Sequence, residues 1–399
     1  MQDAVIIDVI RTAGGKRNGA LSGWHSADLA AQLLRALVER NNLDPALVDD
    51  VLMGCVSQVG AQALNVGRNA VLAAGFPESV PATTIDRQCG SSQQAAHFAA
   101  QGVMAGAYDI VIAAGVEVMS LVPMGASVGK IDKTGMPFGD EMAARYAPQG
   151  GLVPQGISAE LIADKWDLGR EALDAFGAES QRRAAVATEQ GRFDNEIVEV
   201  ESKIRNSETG EITALGQMHK VDEGIRADTT PESLASLRPA FKPDGKVTAG
   251  NSSQICDGAS AALIMSQARA EELGLRPRAR FHAFALAGVD PVTMLTGPIP
   301  ATAKALERSG LSAADIDLFE VNEAFASVVL AWEKELGMDL SKTNVNGGAI
   351  ALGHPLGGSG TKLLATMLNE LERTGGRFGL QTMCEGGGMA NATIIERLD

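Results

Sequence analysis

TTIDRQCGSSQQAAHFAAQGVMA (residues 83–105) and VNGGAIALGHPLGGSG (345–360) are the two stretches on which the architecture turns. The first opens as a strand (Thr83 to Asp86), turns sharply through Arg87 to Gly90, and continues from Ser91 to Ala105 as an apolar helix. The second passes through a glycine-rich turn into a helix over 359–373. Working outward, Ala4 to Ile10 predicts a strand, Ser26 to Arg40 a helix behind a capping Ser, Val51 to Val56 a strand, Asn69 to Ala74 a helix, and Ile110 to Ala114 a buried strand. The same order returns later. Arg280 to Ala287 matches the first strand, Ala301 to Ser309 the first helix, DIDLFEVNEAF (315–325) matches DDVLMGCV (49–56), and Gly379 to Cys384 matches Asp109 to Gly115. Strand, helix, strand, helix, strand occurring twice is a duplicated α/β domain, with parallel strands, crossover helices and a cleft where the strand ends of the two βαβαβ halves meet.

The expected boundaries are a first half of 1–118 plus 247–270, a second half of 271–399, and between them an inserted segment, 119–246. In that segment glycine, proline and methionine dominate 120–156, helices run over 158–165 and 170–190, and 201–236 is polar loop. Hydrophobic residues make up 45 % and charged residues 21 % of 399, an ordinary globular mix that excludes collagen, coiled coil and disorder. The apolar runs are too short for a bilayer, and no basic region precedes an apolar one at the start, so a soluble, unprocessed protein is expected. A net charge of −15, with Lys16-Arg17 as the only short basic cluster, argues against nucleic acid. The four cysteines (Cys55, Cys89, Cys256, Cys384) form no C-x-x-C pair, which speaks against a metal site or a disulfide framework and for a reducing, cytoplasmic compartment.

Cys89 sits where a strand turns into a helix, and free N–H groups and the helix dipole there favour the thiolate. A lone cysteine is ordinarily a small buried hydrophobe; the context singles this one out. A nucleophile needs a base. His97 is roughly 12 Å further along the same helix, and His25, His219 and His282 read as structural or solvated. His354 occupies the turn that mirrors that of Cys89, between glycines that allow close approach. The glycines could also suggest a phosphate cradle, but no G-K-[ST] ending and no correctly placed G-x-G-x-x-G is present. Cys384 closes a strand before Glu385-Gly386-Gly387-Gly388; alone it reads as packing, yet bare N–H groups beside a thiol could form an oxyanion hole with a second acid/base. Asn322 can hold a water or donate to an oxyanion, or equally cap a helix.

Cys89-Gly-Ser, Asn322-Glu-Ala-Phe, Gly353-His354-Pro355 and Cys384-x-Gly-Gly-Gly, in this order and spacing, resemble the thiolases, coenzyme A dependent acyltransferases that make or cleave 3-ketoacyl-CoA. The resemblance runs over essentially the whole chain. It implies a thiolase-like duplicated fold with an inserted CoA-binding loop domain, and no permanently bound cofactor, CoA and acyl-CoA being substrates. By the same likeness Cys89 takes the acyl group as a thioester, His354 activates it and helps bind the thioester oxygen, and Asn322 holds the water that completes this hole. Cys384 shuttles the α-proton of the second acyl unit, and the N–H groups of Cys89 and Gly386 form a second hole. Arg226 would lie near the nucleotide, and Ser233, Phe241, Ala249, Ser253, Met294 and Phe325 would line the pantetheine tunnel. Without the likeness, Arg226 is a solvated arginine, the two serines are turn or capping residues, and Phe241, Met294 and Phe325 are ordinary core. A homodimer or homotetramer is implied as well.

Several positions depart from the family pattern. Asp86 stands where Asn is usual, Ser92 adds a hydroxyl, and Pro154-Gln155 replaces the His-Met of short-chain biosynthetic members. Asn251-Ser-Ser-Gln254 looks more like degradative members, and Gly15 to Gly19 with Ser22 to His25 resembles thiolases for bulky, steroid-like acyl chains. These point to larger 3-ketoacyl-CoAs. Two rival functions share the fold: a decarboxylating condensing enzyme, against which Cys384 speaks, and a lipid carrier without chemistry, against which all four catalytic positions speak.

Overall fold

The computed structural model describes residues 3–128 and 135–398, so positions 129–134 of the expected glycine- and methionine-rich insert lie outside the described residues. The first half runs β1 (Ala4–Arg11), β2 (Gly15–Lys16), α1 (Ser26–Arg40), β3 (Asp50–Gly54), α2 (Val66–Ala73), β4 (Ala82–Ile85), α3 (Ser91–Met104) and β5 (Ile110–Val118). The chain then leaves the sheet for α4 (Asp140–Tyr146), α5 (Gln155–Lys165), α6 (Arg170–Glu189), the hairpin β6 (Val200–Arg205) and β7 (Ile212–His219), and α7 (Pro231–Ala235). It returns as β8 (Cys256–Ser266) and α8 (Gln267–Leu273). The second half follows as β9 (Ala279–Gly288), α9 (Pro298–Ser309), β10 (Leu318–Val321), α10 (Ala326–Leu336), α11 (Ala349–Leu352), α12 (Ser359–Thr374), β11 (Phe378–Glu385) and β12 (Met389–Arg397).

A ten-stranded sheet has the order β10-β11-β12-β9-β1-β8-β5-β3-β4, with β2 beside β8. Outward from the β1/β9 junction the two halves repeat one order, β1-β8-β5-β3-β4 and β9-β12-β11-β10. In the second half a lone bridge from Phe319 to Thr343 stands where β4 stands in the first. The expectation of parallel strands holds for β3 with β4 and β5 and for β10 with β11, whereas β8 and β12 pair antiparallel with all their neighbours. These two strands escape sequence patterning for a physical reason. Buried on both faces, the small-residue run of β8 shows no alternation of apolar and polar residues. The stretch expected as loop between 201 and 236 contains the β6/β7 hairpin, whose second strand is mostly exposed and so carries no apolar face to betray it.

Alanines Ala95, Ala96, Ala99 and Ala100 of α3 pack with Leu364, Ala365, Met367 and Leu368 of α12 and with Ile6, Val9 and Ile264 of the central strands. Small residues let the two helices approach closely: a Cβ at Gly360 would collide with the backbone N of Gln93. Cys89 precedes α3 and His354 precedes α12, so the packing that joins the halves also sets where these two turns lie. Arg11 of β1, fully buried, ties the insert to the sheet through Glu196 (2.6 Å) and Asp222 (2.8 Å).

Candidate active site

The turn before α3 is held by its own side chains. Gln88 has a left-handed backbone (φ 48°), and Asp86 Oδ1 accepts its N–H at 2.7 Å, so the carboxylate standing for the usual Asn fastens the turn. Cys89 follows, buried against Met119, Leu356 and Met383. Its sulfur faces its own N–H and the side chain of Gln155, yet burial pushes the thiol up to about 12, the carboxyl of Glu385 adding to the rise. The expected resting thiolate is therefore corrected. Gly90, not Cys89, caps α3, and the cost of desolvating a thiolate exceeds what the helix terminus returns.

His354 is also buried, and burial, with Lys362 nearby, lowers it to about 3, so the ring is neutral. The Ser359 hydroxyl donates to Pro355 O (2.9 Å), so it accepts from His354 Nδ1–H at 2.5 Å. That fixes the tautomer and leaves a lone pair on Nε2, towards which Asn322 Nδ2 points from 3.4 Å. Asn322 Oδ1 is buried with no partner among the described residues. Asn322 thus does not cap α10, which begins at Ala326 behind Phe325.

Cys384 lies wholly inside an apolar cluster with Met294, Ala324, Phe325 and Ile350. Burial raises its thiol well above the usual range, and Cys89 and Glu385 add to the rise. Gly386 follows the strand; a side chain there would meet Gln88 Oε1 at 2.9 Å and Gln155 Nε2 at 3.4 Å. Cys89, Cys384, Gly386 and Gln155 therefore share one small space, with His354 and Asn322 paired beside Leu356.

The residues expected along the tunnel divide into two sets. Phe325 stands edge-on to the half-exposed Phe241 (5.8 Å between ring centres), Ser253 N donates to Ala324 O (3.0 Å), and Met294 joins the cluster around Cys384. Arg226, Ser233 and Ala249 are exposed. The Arg226 amide donates to Gln181 Oε1 (2.7 Å), and Ser233 forms a reciprocal cap with Thr230 at the start of α7.

Several site-building residues escape sequence reasoning. Glu117 Oε atoms accept from Val56 N, Ser57 N and Gly357 N, each at 3.0 Å, and from Gln62 Nε2, fastening the loop after β3 to the turn that leads from His354 into α12. Glu323 accepts from Ser180 Oγ (2.6 Å), Asn344 Nδ2 (3.0 Å) and Ile350 N (3.1 Å). Lys362 donates to the carbonyls of Leu352 and Gly353 directly before His354. Ser92 Oγ, the added hydroxyl, accepts from Thr361 N (3.1 Å) across the α3/α12 contact. The only signal for the two acids was their position at strand ends, inside or beside apolar runs, where a charged residue needs a reason. All four cysteines are free. Among the described residues no group of His, Cys, Asp or Glu could hold a metal ion, and no helix is long and apolar enough to cross a membrane.

A duplicated fold carrying Cys and His in the turns before two packed helices, with an Asn beside the His and a second Cys on the adjoining strand, is that of an acyl-transferring enzyme, and the chain belongs to the thiolase family. The family's N-terminal domain matches residues 4–268 and its C-terminal domain residues 275–397. Similar proteins include a steroid 3-ketoacyl-CoA thiolase of Mycobacterium tuberculosis (50 % identical, covering 100 % of this chain and 95 % of that one). A 3-ketoacyl-CoA thiolase of Psychrobacter cryohalolentis is 46 % identical over 100 % of this chain and 98 % of the relative. The crystal structure of the Bacillus anthracis acetyl-CoA acetyltransferase superposes with a TM-score of 0.87 at 38 % identity, over 100 % and 99 % of the two chains. The chain is a thiolase, an acyltransferase.

Proposed function

We propose that the chain cleaves 3-ketoacyl-CoA with CoA, or runs the reverse Claisen condensation, through an acyl group carried on Cys89. His354 Nε2 takes the Cys89 proton as sulfur attacks the carbonyl; the new Nε2–H, with Asn322 or a water it holds, then donates to the oxyanion. In thiolysis the C2–C3 bond breaks, the electron pair stays on the departing acetyl-CoA, and Cys384 supplies the proton to C2. The N–H groups of Cys89 and Gly386 stabilise that enolate oxygen. CoA then attacks the Cys89 thioester, its thiol proton passing to the Cys384 thiolate, and as the acyl–sulfur bond breaks His354 returns its proton to Cys89. Met294, Phe325, Phe241, Ser253, Ala249, Ser233 and Arg226 would receive pantetheine and nucleotide, with 119–246 as the CoA-binding insert and 1–118 plus 247–270 and 271–399 as the two halves. We place the enzyme in the cytoplasm as a homodimer or homotetramer.

The observation that carries this reading is the Pro355–Ser359–His354 hydrogen-bond relay, which puts the ring proton on Nδ1 and leaves Nε2 with a lone pair. Incubation with acetyl-CoA should add one acetyl group to the Cys89 peptide and to no other; its absence in folded protein would defeat the assignment. Pro154-Gln155, in place of the bulky pair of short-chain members, and the 50 % identical relative, a steroid 3-ketoacyl-CoA thiolase by name, support larger acyl chains as substrates. Each further buried CH₂ would add about 0.8 kcal/mol. A thiolysis kcat/KM that peaks at acetoacetyl-CoA and falls with every added carbon pair would reject the larger substrate while leaving the reaction intact.

A further inference from the structure

Glu385 follows Cys384 on β11, and by strand alternation its side chain leaves on the opposite face, towards the start of α3. Both carboxyl oxygens are buried with no hydrogen-bond partner among the described residues. A Cβ at Gly90 would collide with Glu385 Oε1 and lie 2.7 Å from Asn391 Nδ2, so the carboxyl lies against the Gly90 α-carbon, next in sequence to Cys89. Asn391 Nδ2 is committed to Gly90 O (3.0 Å) and its Oδ1 is equally unpartnered. A carboxylate there has no donor to receive it, whereas a carboxylic acid beside unpartnered oxygens can donate. The charged and titratable groups facing it are Asp86, Arg87 and Cys89 from the turn before α3 and Cys384 from its own strand. The facing strand β12 contributes the Asn391 amide and the Met389 thioether.

The geometry points to Glu385 as a positioning residue that governs the nucleophile: while protonated it leaves the Cys89–Cys384 pair free of a neighbouring negative charge, and once its proton passes to water the carboxylate opposes thiolate formation at Cys89. This rests on Cys89 as the acylated residue. Burial carries Glu385 up to about 8, Arg87 pulling it down and Asp86 pushing it up, so the change falls just above neutral pH. No other residue of the proposed machinery supplies it, since His354 stays neutral throughout that range.

The test is the rate of iodoacetamide labelling of Cys89 from pH 6 to 10, read by peptide mass, in the wild type and in Glu385→Gln. The two rates should agree at pH 6. Between pH 7 and 9 the wild-type logarithmic rate should climb with less than unit slope, because each carboxylate formed holds back the thiolate. Glu385→Gln should keep unit slope and exceed the wild type about tenfold at pH 10, the effect of one pKa unit on a thiol. Coincident curves, or a ratio that stays constant with pH, would overturn the role. Should the variant not fold, the wild-type curve decides alone, and unit slope from pH 7 to 9 would overturn it. Labelling requires no acyl transfer. Acetylation of Cys89 measured on the same samples tests the reaction, so the two ideas fail separately.

Discussion

Chemistry at the residue scale is a matter of two neutral partners. Cys89 rests as a thiol and His354 as an unprotonated imidazole, both driven there by burial, so in the proposed reaction the proton moves as a carbonyl arrives to take up the sulfur's electrons. Ser359 decides which nitrogen can accept it. Ser359→Ala should lower kcat at least about tenfold with little change in KM, since the ring loses its tautomer and orientation while the tunnel is untouched. Equal losses in both constants would mean that the loop itself had moved. In the proposed reaction Cys384 acts in the other half. Cys384→Ala should still accept acetyl from acetyl-CoA on Cys89 while condensation falls about 10²–10⁴-fold, the usual worth of a positioned acid/base; loss of Cys89 acetylation in a folded variant would contradict that separation.

At the scale of elements, function depends on the closeness of α3 and α12. Gly360 allows the backbones to meet, and Ser92 Oγ receives the Thr361 N–H that the start of α12 would otherwise leave unpaired. Ser92→Ala should cost about 1–3 kcal/mol, the penalty for an orphaned buried donor. Gly360→Ala should destabilise by about the same or more, because backbone rather than a flexible side chain obstructs the methyl. Urea unfolding would measure both, and a neutral Gly360→Ala would show that the helices have slack. Periodicity finds α3 and α12 to within a residue or two, but gives no sign of their distance. Nor does it find β8 and β12, whose two-sided burial erases the alternation that marks a strand.

Over the whole molecule, the duplicated sheet buries titratable groups whose states couple folding to pH. His97, buried with Nε2 at 2.6 Å from Thr393 Oγ1, is held down to about 3, as is His354. In the unfolded chain both return to about 6.5. The unfolded state therefore binds more protons between these values, and the stability due to the neutral rings is present above about pH 6.5 and lost as pH falls towards 3. Thermal midpoints from pH 7 to 4 should show this decline, and His97→Gln should make it shallower. Parallel curves would mean that His97 is not kept neutral by the fold.

The chain order of Cys89, Asn322, His354 and Cys384, the repeated strand–turn–helix units and the family likeness were all legible in sequence. They depend on local turn chemistry and spacing, which a linear string records. Tertiary structure alone decided the rest. The thiol of Cys89 is neutral, contrary to what its place near a helix N-terminus suggests, because desolvation is set by Met119, Leu356 and Met383, brought from three distant segments. Asp86 and Ser92, departures when seen as letters, turn out to fasten a turn and to bridge two helices. Glu117, Glu323 and Glu385 gain their meaning only from donors, or the lack of them, supplied by segments distant in sequence. Burial and hydrogen-bond satisfaction are properties of neighbours in space, and the packing of the two halves determines who those neighbours are.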